Sequence, residues 1–338
     1  MTLGPAAAAA ERIEAAAAAL DGLARPSVPL APLTTYRVGG PAALFVEARH
    51  TNDLARVAAA VAATGIDVLV VGKGSNLLVA DAGFAGLAVL LGDAFAGVDV
   101  AGTSVTAGAA AFLPRVARAS VNAGLTGFEW AVGVPGSIGG AVRMNAGGHG
   151  SDMAATLAHV TIVDLATGEE RVVPAADLAL AYRSSNIAPH QVVTSATLAL
   201  ARGDAVAGLA AIKEIVAWRR ANQPGGHNAG SVFTNPPGES AGRLIDSVGG
   251  KGLRVGTAEV SPKHANFIQS DDGGSADDVA ALMAEARRRV ASQAGVDLHA
   301  ETRMVGFAAE VVAAAGAAPV DPATTEPTAR ERTDGRSP

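Results

Sequence analysis

The chain has 338 residues, of which 49% are apolar and 4% aromatic, and its net charge is −6. This length accommodates two or three domains, and the negative charge argues against a general nucleic-acid-binding protein. The absence of cysteine excludes disulfides, iron–sulfur clusters and thiolate catalysis. No apolar run approaches the roughly 18 residues of a membrane helix, and the first residues lack a basic signal-peptide region. We therefore expect a cytoplasmic monomer that binds no membrane, and we predict no metal site.

The first 90 residues predict alternating helices and strands. An alanine-rich helix is expected over residues 6–20, and its weak apolar stripe suggests loose docking. A second helix is predicted over residues 51–64, capped by Thr51 or Asn52, with a buried strand over 66–71. The loop Gly72-Lys-Gly-Ser-Asn-Leu-Leu78 follows this strand. Successive backbone N–H groups there could form an anion nest, and a plain turn explains the loop equally well.

The middle of the chain carries a glycine-rich segment over residues 131–150. We expect Pro135 to open a short helix and Ser137 to cap it, which would form an anion site. A glycine-rich loop between domains remains the alternative. A helix over residues 112–122 precedes this segment, and a hairpin of residues 159–165 and 169–173 follows it. Residues 191–201 then predict a strand.

The last third of the chain predicts a second domain after the turn at residues 203–204. Helices are expected over residues 205–222 and 239–248, and a closing strand over residues 298–306. A further helix begins after Ser275, with Asp278 completing a capping box and an apolar stripe at Val279, Leu282, Met283, Ala286 and Val290. After Val312 the composition becomes typical of a disordered tail.

Several of these segments resemble the UDP-N-acetylenolpyruvoylglucosamine reductase family in the family's own order. The segments are Thr34-Thr-Tyr-Arg-Val-Gly-Gly-Pro-Ala42, the loop 72–78, the glycine-rich run 131–150, Tyr182-Arg-Ser-Ser185 and Ala229-Gly-Ser-Val-Phe-Thr-Asn-Pro236. Together with residues 298–306 they span most of the chain. The last tyrosine is Tyr182, so the substrate-covering tyrosine loop of some members is absent, as in the shorter-loop subgroup.

The resemblance implies an α+β fold with a FAD-binding domain of the vanillyl-alcohol-oxidase type and a smaller substrate-binding domain. We expect an alanine-rich segment over residues 1–26 and a FAD-binding domain over 27–202, with its two subdomains divided near residue 86. The substrate-binding domain is expected over residues 203–312 and a disordered tail over 313–338.

The resemblance also implies the reaction. NADPH reduces bound FAD, and the reduced flavin then gives a hydride from N5 to the enolpyruvyl methylene of UDP-N-acetylglucosamine enolpyruvate, yielding UDP-N-acetylmuramate for peptidoglycan synthesis. Arg183 matches the arginine that stabilises the resulting enediolate, and Glu301 matches the catalytic glutamate. Ser231 matches the serine that delivers the proton.

Binding residues are carried over by position in the same motifs. The resemblance assigns FAD binding to Gly72, Gly74, Ser75, Asn76, Leu77, Pro135, Gly136, Ser137, Gly139, Gly140, Asn145 and Gly147. It assigns substrate binding to Tyr182, Asn235, Lys263 and His264.

Three positions depart from the family pattern. Thr234 stands where a lysine or arginine often precedes Asn-Pro, Arg143 replaces a frequent aromatic residue, and Ala300 replaces a common proline before Glu301. Two rival hypotheses stay open at this point: another FAD oxidoreductase of the same fold, and a nucleotide-sugar-binding protein that has lost catalysis.

Overall fold

The computed structural model describes residues 5–318. The helices are α1 (Pro5–Ala19), α2 (Thr51–Thr64), α3 (Leu113–Asn122), α4 (Ile138–Arg143), α5 (Ala205–Asn222), α6 (Ala241–Ser247), α7 (Ala276–Ala294) and α8 (Ala309–Ala314). The strands are β1 (Arg25–Pro29), β2 (Pro41–Ala48), β3 (Val68–Val71), β4 (Leu77–Val79), β5 (Phe84–Leu91), β6 (Val98–Ala101), β7 (Ser104–Gly108), β8 (Leu125–Thr126), β9 (Gly147–Gly148), β10 (Ser151–Asp152), β11 (Leu157–Asp164), β12 (Glu170–Pro174), β13 (Gln191–Ala199), β14 (Ala201–Arg202), β15 (Arg254–Val255), β16 (Ala258–Val260), β17 (Ile268–Ser270) and β18 (Arg303–Val305). Within residues 5–318, no helix combines the length and the apolar character needed to cross a membrane.

The first sheet has the strand order β1-β2-β5-β3 and is covered by α1 and α2. Strands β2, β5 and β3 run parallel, and β1 is antiparallel at the edge. Because β5 belongs to this sheet, the predicted division near residue 86 is wrong, since it cuts through a paired strand. Helix α1 contacts the sheet through the buried Ala16, with Leu20 buried directly after the helix, and its other described positions are half-buried or exposed.

The second sheet is antiparallel, with the strand order β12-β11-β13-β7-β6. The predicted hairpin is confirmed as β11 and β12, and the predicted strand over residues 191–201 is confirmed as β13. Helices α3 and α4 pack on this sheet, and their apolar faces contribute Leu113, Val116, Ile138 and Val142 to one core. The glycine-rich segment therefore lies between the second sheet and the first.

The C-terminal part of the chain builds a core of its own, to which Tyr36, Val38 and Leu78 of the N-terminal half also contribute. Its sheet has the order β15-β16-β17, and α6 and α7 pack against it. All five residues of the predicted apolar stripe on α7 are buried, which confirms the 3.6-residue periodicity as the signal for its inner face. Helix α5 connects this part to the second sheet by packing on α3.

The C-terminal part returns to the first half of the chain through one strand pair. Strand β18 pairs in parallel with β4, with Arg303, Met304 and Val305 opposite Leu77, Leu78 and Val79. The predicted closing strand over residues 298–306 is therefore too long, because only three residues find a partner strand. This pairing carries the segment that contains Glu301 to the edge of the predicted FAD-binding region.

A second link between the two parts is made by Asp81, at the N-terminus of α7. Its carboxylate accepts hydrogen bonds from the Ser275 hydroxyl, from the Ala276 N–H at 2.9 Å and from the Asp277 N–H at 3.3 Å. The predicted capping box is half right: Ser275 Oγ accepts from the Asp278 N–H, but the Asp278 carboxylate binds Thr257 instead. Asp81 thus supplies the acceptor that the N-terminal turn of α7 requires.

Helix α8 extends past the predicted start of the tail. It ends at Ala314, Ala315 is fully buried, and the Gly316 carbonyl accepts a hydrogen bond from the Ala300 N–H at 2.9 Å. The chain therefore remains packed beyond Val312, which corrects the predicted boundary. Residues 319–338 of the predicted tail lie outside the described residues.

Replacing Asp81 by alanine should lower stability by about 1 kcal/mol, because three donors at the start of α7 lose their acceptor. The midpoint of urea unfolding measures this change. Asp99→Ala is the matched control, since Asp99 is an exposed residue of β6. Equal midpoints for the two variants would contradict a stabilising role of the link through Asp81.

Candidate functional site

A cavity of about 390 Å³ lies where the loop after β3, the glycine-rich segment and the C-terminal part meet. Every predicted FAD-binding residue except Asn145 lines it. These residues are Gly72, Gly74, Ser75, Asn76, Leu77, Pro135, Gly136, Ser137, Gly139, Gly140 and Gly147. The two glycine segments, which are more than fifty residues apart in sequence, therefore form adjoining walls of one site.

The close approach of the two segments requires glycine at position 72. A Cβ placed on Gly72 would lie 2.7 Å from the Ser137 hydroxyl oxygen. Gly74 has φ +61°, and a Cβ there would overlap the carbonyl of Leu33. Glycine therefore serves packing and backbone geometry at these two positions and leaves the backbone accessible from the cavity.

The short helix of the glycine-rich segment begins later than predicted. Its first residue is Ile138, so Pro135 precedes the helix rather than opening it. Ser137 is the N-cap, as predicted, and its hydroxyl accepts from the Gly140 N–H at 3.4 Å. Gly139 serves packing, because a Cβ there would lie 2.9 Å from the Ala109 Cβ.

Asn145 does not face the cavity, contrary to its predicted role in FAD binding. It is 2% exposed, and its side chain is used entirely within the protein. Its amide donates to the Asp152 carboxylate at 3.1 Å and to the Ala181 carbonyl at 3.0 Å, and its Oδ1 accepts from the Ala154 N–H. The Ala181 contact anchors the turn that carries Arg183, so Asn145 positions that arginine.

Arg183 lies at the tip of a tight turn between Ala181 and Ser184 and has φ +55°. Its Nη2 donates to the Gly147 carbonyl at 3.2 Å, and its Nε lies 2.6 Å from Glu301 Oε1. The Nε–H group does not point at that oxygen and finds no hydrogen-bond partner within the described residues. Arg183 and Glu301 are therefore in close contact, and within the described residues the guanidinium donates a hydrogen bond only through Nη2.

Glu301 is held by its backbone beside the cofactor segment. The Asn76 amide donates to the Glu301 carbonyl at 3.0 Å, and the Glu301 N–H donates to the Val232 carbonyl at 2.7 Å. Burial raises the pKa of Glu301 above 4.5, and Arg183 opposes this shift. Since burial is the larger effect, the environment favours the protonated carboxyl more than water does.

Ser231 lines the same cavity, in a loop that hydrogen bonds to Asn266 hold in place. Asn266 is 3% exposed, its Oδ1 accepts from the Phe233 N–H at 3.0 Å, and its amide donates to the Phe233 carbonyl at 2.8 Å. Gly230 precedes the serine with φ +77°. Arg183, Ser231 and Glu301 thus come from three distant segments and share one cavity.

Three buried or half-buried cations also line the cavity, and sequence reasoning did not assign them to the site. Among residues 5–318, Arg143, Arg219 and Arg303 form no ion pair with a carboxylate. Burial, followed by repulsion from Arg303, lowers the pKa of Arg143 to about 10, and burial also lowers the pKa of Arg303. Cations held at such a cost favour an anionic ligand.

The sequence spacing could have indicated two of these three arginines, Arg219 and Arg303. Arg219 and Gln223 are four residues apart at the end of α5, and Arg219 Nε donates to Gln223 Oε1 at 2.8 Å. Arg303 follows Glu301 by two residues, a spacing that places side chains on one side of an extended segment. Both pairs line the cavity.

The four predicted substrate-binding residues do not line this cavity in the structure. Tyr182 is 60% exposed, and its ring lies 5.1 Å from the Arg183 guanidinium carbon. The Asn235 side chain accepts from the Ala241 N–H at 3.1 Å, which fixes the entry to α6. Both assignments rest on motif position, and only Tyr182 approaches the cavity, through its contact with Arg183.

Lys263 and His264 also serve local contacts. The Lys263 ammonium donates to the Arg220 carbonyl, and His264 Nδ1 accepts from the Asn266 N–H at 3.2 Å. Burial lowers the pKa of His264, which favours the neutral ring that this acceptor role requires. Thr234, where the family often has a cation, donates its hydroxyl to the His299 carbonyl instead.

The cavity suits the dinucleotide that the resemblance implies. Glycines at positions 136, 140 and 148 line it without side chains, and a Cβ at Gly148 would meet no atom within 4 Å. Arg143 and Arg303, which form no ion pair within residues 5–318, supply positive charge for a diphosphate. Backbone amides and buried cations are the donors that phosphate groups require.

Comparison with known protein families divides the chain into two matched regions. Residues 42–173 match the FAD binding domain family. Residues 222–305 match the C-terminal domain family of UDP-N-acetylenolpyruvoylglucosamine reductase. The first match covers β2 to β12, and the second begins at the end of α5.

Individual relatives match over most of their length. UDP-N-acetylenolpyruvoylglucosamine reductase 2 of Symbiobacterium thermophilum is 40% identical over 287 residues, which is 84% of this chain and 93% of that protein. The reductase of Heliobacterium modesticaldum is 42% identical over 281 residues, covering 82% and 89% of the two chains.

A solved structure supports the same grouping. The crystal structure of UDP-N-acetylenolpyruvylglucosamine reductase from Thermus caldophilus aligns with a TM-score of 0.74 at 36% identity, over 83% of this chain and 99% of that one. The predicted α+β fold, with a FAD-binding domain and a smaller second domain, is thereby confirmed. The chain belongs to the UDP-N-acetylenolpyruvoylglucosamine reductase family.

Proposed function

We propose that this chain is a FAD-dependent reductase that uses NADPH to convert UDP-N-acetylglucosamine enolpyruvate into UDP-N-acetylmuramate, a peptidoglycan precursor. The observation that carries the proposal is the convergence of Arg183, Ser231 and Glu301 on the cavity lined by both glycine segments. We assign the reaction to the cytoplasm, as expected from the sequence.

FAD would be held by the two glycine segments. The Gly72–Leu77 loop, Ser137 and the glycines of residues 136–148 present backbone groups to the cavity, and Arg143 and Arg303 provide charge for the diphosphate. When bound, the flavin supplies hydride chemistry, accepting a hydride from NADPH and passing it to the enolpyruvyl double bond. The chain's own residues must then bind, orient and protonate the substrate.

Arg183 is proposed to bind the substrate carboxylate. Hydride addition to the enolpyruvyl group moves negative charge onto that carboxylate, so a fixed cation stabilises the transition state more than the ground state. The guanidinium is prepared for this contact because Gly147, the turn and Asn145 fix its position, while among residues 5–318 only its Nη2 donates a hydrogen bond to the protein. Its planar fork fits a carboxylate through two parallel hydrogen bonds.

Glu301 is proposed to act as a neutral acid beside the same carboxylate. An ionised glutamate would repel the developing charge, whereas a protonated one can donate a hydrogen bond. Burial supports the protonated form by raising the pKa of Glu301. A substrate carboxylate that took Arg183 as its partner would raise that pKa further, because Glu301 would share its counterion.

Ser231 is proposed to deliver the proton to the substrate carbon. A hydroxyl is a weak acid, but the carbon of an enediolate is a strong base, so a positioned serine can complete the reduction. Asn266 fixes the loop on the C-terminal side of the serine, and the Val232 carbonyl accepts from the Glu301 N–H. Ser231 and Glu301, the two proposed proton donors, therefore lie on segments that are hydrogen-bonded to each other.

Replacing Ser231 by alanine should leave flavin reduction by NADPH unchanged and slow flavin reoxidation by substrate by about 100-fold or more, because a positioned proton donor is lost. Stopped-flow absorbance of each half-reaction measures this. Ser292→Ala, an exposed position on α7, is the control. Reoxidation at the normal rate would exclude Ser231 as the donor.

Replacing Arg183 by lysine should slow reoxidation by about 10-fold to 100-fold, because the charge is kept and the second hydrogen bond is lost. Arg183→Ala should be slower still, and flavin reduction should not change in either variant. Arg202→Lys, at an exposed site on β14, is the matched control. A lysine variant with full reoxidation rate would exclude two-point binding of the carboxylate.

Glu301 should make the reoxidation rate depend on pH. Its pKa is raised, so the protonated form persists above 4.5 and is lost as pH rises through the folded-state value, and the rate should fall in that window. Glu301→Gln is neutral at every pH and should remove this fall while lowering the maximal rate. A control is Glu310→Gln on α8. Parallel pH profiles for Glu301→Gln and the wild type would show that another group titrates.

A further inference from the structure

Trp218 is a large aromatic side chain exposed beside the cavity. It lies in the last turns of α5, is 48% exposed, and directly precedes Arg219, which lines the cavity. Its ring packs edge to face on His149, with centroids 5.1 Å apart and planes at 86°. An exposed tryptophan and an exposed histidine therefore form one aromatic surface, and the histidine belongs to the cavity wall.

The glycine-rich segment is shaped to present His149. This residue has φ +52°, an uncommon conformation for a residue with a side chain, and it lies between Gly148 and Gly150. A Cβ on Gly133 would lie 3.1 Å from the His149 Nε2 atom. The imidazole thus lies between Gly133 and Trp218, and this position requires an unfavourable backbone conformation at His149.

The charges around this pair favour a neutral aromatic ring next to a cation. Burial and then repulsion from Arg219 lower the pKa of His149, so the imidazole is neutral at neutral pH. Arg219 itself forms no ion pair within residues 5–318 and retains its charge for a ligand. An aromatic surface next to a cation is the arrangement that binds a nucleobase and its phosphates.

We propose that Trp218 and His149 form a stacking surface for the nucleobase of a nucleotide ligand of this enzyme. The inference rests on the proposed function, which supplies two such ligands: the uracil of the sugar-nucleotide substrate and a base of NADPH. Both present the same chemistry, a planar heteroaromatic ring attached through a sugar to phosphate. Arg219 in the last turn of α5 and Gln223 directly after the helix line the cavity toward the phosphates.

Tryptophan fluorescence of the FAD-loaded protein tests the proposal directly. The chain has two tryptophans, and Trp130 is 4% exposed, so the quenchable signal comes from Trp218. UDP or NADP⁺ should change the emission of the wild type, inorganic pyrophosphate should not, and Trp218→Phe should abolish the response. A response to UDP assigns the surface to the substrate, one to NADP⁺ assigns it to the reductant, and one to both assigns it to both. No response to either, an equal response to pyrophosphate, or a response that survives in Trp218→Phe would overturn the proposal.

Steady-state kinetics provides the second measurement. Trp218→Ala should raise the KM of the ligand identified by fluorescence by about 5-fold to 100-fold, the range expected for loss of one stacked base, with little change in kcat. Trp218→Phe should restore most of the loss because it keeps a stacking ring. Leu209→Ala, an exposed apolar position on the same helix, is the control. An unchanged KM in Trp218→Ala would overturn the stacking surface while wild-type turnover still supported the reductase, so the two failures are distinguishable.

Discussion

The parallel pairing of β4 and β18 is the contact on which the site depends. Three residues on each strand bring the C-terminal part of the chain to the segment that follows the first glycine loop. Asn76 extends this pairing, because its carbonyl accepts from the Arg303 N–H and its amide binds the Glu301 carbonyl. A residue of the first glycine loop thereby sets the position of Glu301, and the loop and the segment that carries Glu301 form one hydrogen-bonded unit.

Charge imbalance is the second constraint on the cavity. Arg143, Arg183, Arg219 and Arg303 line it together with a single carboxylate among the described residues, Glu301. Burying several cations with one anion costs free energy in the absence of ligand, and the phosphates and carboxylate of the proposed ligands would offset that cost. The net charge of −6 does not oppose the proposed anionic ligands, because the charge lining the cavity is positive while the chain as a whole is negative.

Local signals in the sequence predicted the elements that periodicity and capping determine. The helices over residues 51–64 and 205–222 were predicted to the residue, because an apolar stripe or a stop signal marks each one. The length of β18 was not predictable, because it is set by the three residues of β4 that remain available for pairing. The first cap illustrates the same limit: His50, rather than Thr51 or Asn52, is the N-cap of α2.

The candidate site was likewise only partly predictable from the sequence. The glycine segments, Arg183, Ser231 and Glu301 were predicted to share a site because they lie in family motifs, and they line one cavity. The direction of the Asn145 side chain was not predictable, because it depends on the Ala181 carbonyl, 36 residues away in sequence. Arg143 was missed because an arginine gives no local indication of burial, which only the packing of the two halves produces.

The hydrogen bond from the Ala300 N–H to the Gly316 carbonyl restrains the backbone next to Glu301. Where the family commonly has proline before the glutamate, this chain has a residue with an N–H, and that N–H reaches the end of α8. A proline there would fix the backbone by its ring, whereas here a neighbouring segment provides the restraint. A proline introduced at position 300 would therefore stiffen the backbone before Glu301 and at the same time remove the hydrogen bond that ties the end of the C-terminal helix to it.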